Sequence, residues 1–150
     1  MTNEAFQSDG SRTSALIAIM QNEPDRRRFN ELIEAAAATY VSAATLLETR
    51  MVLFARSGDS AVLALDAFLL KSRMIVMEVS PHIADIAFDA YRRYGKVRGR
   101  GAVLNYGDCF SYALAKHLAA PLLFKGRDFS KTDIRSAADE RTEHHRPADP

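Results

Sequence analysis

The 150-residue sequence predicts an α/β fold built on a largely parallel sheet. Three observations carry that expectation. Helical and strand patterns alternate through most of the chain, as they do where crossover helices link parallel strands. The run Met74-Ile75-Val76-Met77-Glu78-Val79 is nearly continuous in apolar residues, which suits a strand covered on both faces. A chain of this length matches one domain and can bury roughly 70% of its unfolded surface.

The elements follow in order. Ser14 to Gln21 reads as a short apolar helix, and Glu23-Pro24-Asp25 starts a second that runs through Glu34 to Ala38, with proline near its first turn. Thr39 to Ser42 reads as a short strand. A helix over 43–56 ends at Gly58-Asp59, and another runs from about Ser60 to Leu70 before the strand at Met74 to Val79. Ser80-Pro81 opens a helix to about Tyr94. The segment GKVRGRGAVLNYG is glycine-rich and basic, and is expected to be a loop. Helix 107–119, a tight Pro121, a strand from Leu122 to Lys125 and a loop carrying Gly126-Arg127-Asp128 complete the domain. The polar residues 138–150 read as a disordered tail.

The totals exclude several classes. Apolar residues are 47% of the chain and charged residues 26%, ordinary for a globular protein. No apolar run approaches the roughly 18 residues of a membrane span, and the polar start lacks a signal-peptide core, so the expected compartment is the cytoplasm, with no membrane partner. The single cysteine, Cys109, excludes an internal disulfide and a cysteine-rich zinc site; it reads as a small buried thiol. A net charge of +1 does not announce a nucleic-acid binder, so that chemistry has to be argued locally. His82 and His117 read as surface or capping residues.

Acids at particular places are more informative. In the helix AATLLETRMVLFAR, Ala44, Leu47, Met51 and Ala55 form an apolar stripe, and Glu48 falls inside it. A carboxylate aimed at a core has to be paired, hydrogen-bonded or bound to a cation. Leu46 and Leu53 occupy the opposite face, so this helix is apolar nearly all round and suited to face a partner subunit. Asp108 follows Gly107 at a helix start, where an acid caps free N–H groups. Asp128 follows the carboxyl end of a strand, where open α/β sheets gather ligands. Asp133 is either a further member of this group or a turn residue. If these acids converge, their repulsion calls for a hard divalent cation, and Mg²⁺ or Mn²⁺ takes oxygen ligands. Such ions support phosphodiester hydrolysis, and the basic loop with Lys96, Arg98 and Arg100, close to Arg92 and Arg93, suits phosphates.

Four separated stretches carry a resemblance: Thr13 to Ile19, Ser42 to Glu48, Leu104 to Ala115, and Pro121 to Phe129 with Thr132-Asp133-Ile134 after it. Over residues 13–137 the chain resembles the PIN-domain ribonuclease toxins of the VapBC toxin–antitoxin family. The resemblance implies a PIN-like three-layer α/β/α sandwich with a parallel central sheet. It also implies Mg²⁺- or Mn²⁺-dependent endoribonuclease activity of a type II system, a VapB-like antitoxin partner and a homodimer. By motif, Glu48, Asp108 and Asp128 are the expected catalytic and metal-binding acids, with Asp133 beside them and Ser14 as a small hydroxyl residue near the metal.

One position departs from the pattern. The family begins with an apolar strand ending in Asp-Thr-Ser-Ala, and here Arg12 stands at that Asp, while residues 1–12 do not read as a buried strand. Asp9 is a poor substitute, because three residues along an extended chain is about 10 Å and ends on the opposite face. A guanidinium beside the acids opposes metal binding and can pair with Glu48 or Asp108 instead. Two functions therefore follow: an endoribonuclease with reduced activity, or a catalytically inactive PIN-like protein that binds antitoxin or RNA.

Overall fold

The computed structural model describes residues 15–95 and 104–139. Within them the chain order is α1 (Ala15–Met20), α2 (Arg26–Ala35), β1 (Tyr40–Ser42), α3 (Ala43–Ser57), α4 (Asp59–Lys71), β2 (Ile75–Met77), α5 (Pro81–Tyr94) and α6 (Tyr106–Leu118). Local chemistry sets the ends of these helices. Ser42 caps α3 by accepting from the Ala44 N–H, and Ser80 caps α5 by accepting from the Ile83 N–H, with Pro81 in the first turn. Gly58 separates α3 from α4 at φ +73°, a conformation that costs glycine nothing.

β1 and β2 pair in parallel, Val41 opposite Val76. A second parallel contact joins Leu122 to Ser136, with the Leu122 N–H donating to Arg135 O and the Ala137 N–H to Leu122 O. Helices cover both sides of these strands. Leu122 and Phe124 pack on the α5–α6 core around Ile83, Ala90, Leu104 and Tyr112. Leu123 packs the opposite way, on Ala18, Ile19, Phe29 and Ile33 of α1 and α2. That alternation is the two-residue period of an extended strand, and it makes the three-layer arrangement expected from the sequence. A further core joins Leu53 of α3 to Leu65 and Leu69 of α4.

Three expectations change. The apolar strand at 75–77 is not buried on both faces: Ile75 and Val76, adjacent residues that point to opposite faces, are each 46% exposed. The strand expected at Leu122 to Lys125 forms a single bridge among the described residues. The apolar stripe of α3 that holds Glu48 points outward, with Leu47 59% exposed, and the buried face is Leu46, Thr49 and Leu53. A helix apolar on two faces has no periodicity that says which one the core takes.

Candidate active site

The amino end of α6 is organised by a capping box. The Asn105 side chain accepts from the Asp108 N–H at 2.8 Å, and Asp108 Oδ2 accepts from the Asn105 N–H at 2.9 Å. Asp108 is thus held rigidly through one oxygen. Its side chain also lines a groove of about 280 Å³ whose walls include Tyr40, Val41 and Ser42 of β1 on one side and Leu122, Leu123 and Phe124 on the other.

Asp128 lines the same groove. A turn at Gly126, with φ +84°, brings the chain round after Phe124. Phe129 is buried and packs its ring, tilted by 47°, against that of Phe124 with centroids 5.1 Å apart, which anchors the backbone beside Asp128. Two acids 20 positions apart in sequence therefore line one groove. Neither is without a partner.

Glu48 approaches from α3. A β-carbon added at Gly107 would lie 1.8 Å from Glu48 Oε2, so the carboxylate rests directly on the glycine next to Asp108. The residue is exposed overall, but its carboxylate loses water against α6, and that desolvation raises its pKa. Among the described residues it has no hydrogen-bonding partner. Thr45 and Ser111, hydroxyl to hydroxyl at 3.1 Å, line the groove between the elements that carry Glu48 and Asp108. Sequence reasoning missed both; their only signal is one helical turn of spacing from the two acids.

Asp133 lies elsewhere. It does not line the groove, and it accepts from Lys116 Nζ and from the Tyr112 hydroxyl, each at 2.6 Å. The Lys116 hydrogen bond, then that of Tyr112, lowers the Asp133 pKa. Asp133→Asn is expected to destabilise the fold by about 1–3 kcal/mol, because the buried Tyr112 hydroxyl loses its charged acceptor. A lowered carboxylate pKa contributes stability at neutral pH that vanishes as pH falls through the folded value. Urea unfolding of the two proteins should therefore differ at pH 7 and converge in strong acid; a constant gap would sink this assignment.

Cys109 is buried as expected, and burial, helped by the Asp108 charge, pushes its thiol up to about 11. It is a packing residue. Arg12, Ser14, Lys96, Arg98 and Arg100 lie outside the described residues.

Among the described residues, no three His, Cys, Asp or Glu converge closely enough to hold an ion by themselves. Two carboxylates do open on one groove, and Mg²⁺ is commonly held by one or two carboxylates with water completing its shell. The donors fit such an ion in kind, as a site of low ligand count.

The PIN domain family profile matches residues 13–135. VapC ribonuclease Mb0640 of Mycobacterium bovis is 48% identical over 126 residues, covering 84% of this chain and 95% of that protein. Ribonuclease VapC of Mycolicibacterium smegmatis is also 48% identical over 126 residues, covering 81% of this chain and 94% of its own length. The crystal structure of Mycobacterium tuberculosis VapC20, a Sarcin-Ricin loop cleaving toxin, matches with a TM-score of 0.63 at 19% identity, over 80% of this chain and 90% of that one. The last match speaks for the fold alone.

Proposed function

Because the chain belongs to the PIN-domain family and, within it, to the VapC ribonucleases, we propose that it is an endoribonuclease toxin of a type II toxin–antitoxin system, with reduced activity. The observation that carries this reading is the shared groove of Asp108 and Asp128, with the Glu48 carboxylate resting on the adjacent Gly107. Asp108 and Asp128 would hold Mg²⁺ or Mn²⁺. When bound, the cation supplies an activated water and charge neutralisation at the phosphate. The capping box keeps Asp108 from swinging away, and Glu48, poorly hydrated and unpartnered among the described residues, is suited to take a proton or to steady the ion's water. Lys96, Arg98 and Arg100 are proposed as contacts to the RNA backbone.

The partner surfaces are part of the same reading. Leu47, Met51 and Phe54 share one outward face of α3, and Leu63 and Leu70 share one face of α4, all exposed. These faces suit a homodimer and a VapB-like antitoxin. No described helix is long and apolar enough to cross a membrane, and we propose the cytoplasm as the place of action.

The test is incubation of the purified full chain with structured RNA and Mn²⁺. Cation-dependent cuts that stop on chelation are expected. A second reading, a catalytically silent protein that binds antitoxin or RNA, is favoured by the absence of a three-ligand cluster among the described residues. Tight capture of a VapB-like peptide by folded protein that leaves the RNA intact would establish it instead.

A further inference from the structure

The acid groove leaves both histidines of the described residues unused, and the fold brings them together. His82 is the second residue of α5 and His117 the last but one of α6. Their ring centroids lie 5.7 Å apart, with the ring planes at 68°. Both residues are exposed, and among the described residues neither makes a hydrogen bond.

The packing of the two helices fixes this meeting. α5 and α6 share one core, in which Ile83, Ala87 and Ala90 meet Cys109, Tyr112 and Ala113. The helix ends that carry the histidines are pinned as well. Ser80 caps α5 through the Ile83 N–H, and α6 closes at Ala119, whose N–H donates to Ala115 O and Lys116 O. A cation at this point faces the negative end of α6 and the positive end of α5, whose fields offset each other, so the donor atoms decide what binds. The ammonium of Lys116, next to His117, is already paired with Asp133 at 2.6 Å.

Imidazole suits Zn²⁺, Cu²⁺ and Ni²⁺, whereas Mg²⁺ takes oxygen ligands. A tetrahedral ion that holds two ring nitrogens at about 2.0–2.1 Å sets the ring centroids about 5.2 Å apart. The observed spacing exceeds that by about 0.5 Å, which small χ rotations of two exposed side chains close. We propose that His82 and His117 form a two-histidine site for a zinc-class transition-metal ion, which ties the start of α5 to the end of α6, with water completing its shell. Among the described residues no third His, Cys, Asp or Glu joins them, so the ion is exchangeable rather than a four-ligand structural centre. The site takes a different class of cation from the acid groove and does not depend on RNA cleavage.

The test uses the full chain in excess Mg²⁺, which fills oxygen-ligand sites and leaves imidazoles free. Zn²⁺ binding is followed by calorimetry and by the rise in melting temperature over the same protein in EDTA. Four proteins are compared: the parent, His82→Ala, His117→Ala and the double variant. Either single substitution is expected to weaken Zn²⁺ binding about tenfold or more and to remove most of the rise in melting temperature. The double variant should lose little more, since one imidazole alone does not chelate. Cu²⁺ below one equivalent supplies a reading by residue: the NMR ring-proton signals of His82 and His117, assigned from the variants, should broaden together and before those of His144 and His145. Unchanged Zn²⁺ affinity and melting shift in His82→Ala, losses that simply add in the double variant, or broadening of one signal without the other overturns the proposal. The pair would then be an aromatic contact only, and the nuclease reading would stand untouched.

Discussion

Asp108→Asn is expected to reduce RNA cleavage by about a hundredfold while leaving the fold at nearly its original stability. The two halves of that statement come from the two jobs of one side chain. As a cap, Asp108 needs only an oxygen that accepts from the Asn105 N–H, and an asparagine amide oxygen supplies it. As a ligand it needs negative charge, which the amide lacks. Asp108→Ala removes both and should cost a further 1 kcal/mol or so of stability, the usual worth of a helix cap. Urea unfolding and cleavage measured on both variants separate the roles. Equal stability of the two would mean that the capping bond contributes nothing, and full activity of the Asn variant would remove Asp108 from the chemistry.

That dual use explains how far the site was legible beforehand. A Gly-Asp pair opening an apolar helix looks the same in sequence whether the acid caps or binds, and here it does the first while lining the groove suited to the second. Asp128 was singled out at the end of an expected core strand; the chain there forms a single bridge among the described residues, and a turn at Gly126 precedes Asp128 on the groove wall. Glu48 was singled out for the wrong physical reason. It stands out not because it is buried in the core but because its carboxylate leans on Gly107, a contact between α3 and α6 that no local pattern encodes. Asp133 shows the converse: its partners Tyr112 and Lys116 sit on α6, and only tertiary structure reveals that they already hold it. The fold was more legible than the site, because alternating periodicity records which segments are helices and strands. The burial of β2 was not, since an apolar run records an affinity for cover without saying which surface provides it.

Gly107→Ala should separate geometry from stability at the same place. A methyl in the first turn of a helix would ordinarily add up to about 1 kcal/mol over glycine. Here that methyl would collide with Glu48 Oε2 at 1.8 Å and with Cδ at 2.6 Å. The colliding group is the far end of an exposed, flexible side chain, so the collision is relieved by Glu48 swinging away rather than by distortion of α6. The variant is therefore expected to be as stable as the parent or slightly more so. Its cleavage should nevertheless fall by about a hundredfold, toward the level of Glu48→Ala, because a displacement of an ångström or more is enough to disable a positioned group. Combining Gly107→Ala with Glu48→Asp shortens the acid by one methylene and makes room for the methyl. That double variant should be more active than the product of the two single effects allows. Thermal melts and cleavage rates on the four proteins decide the matter. If Gly107→Ala retains full activity, the Glu48 carboxylate is not needed where it rests, and the functional site reduces to Asp108 and Asp128.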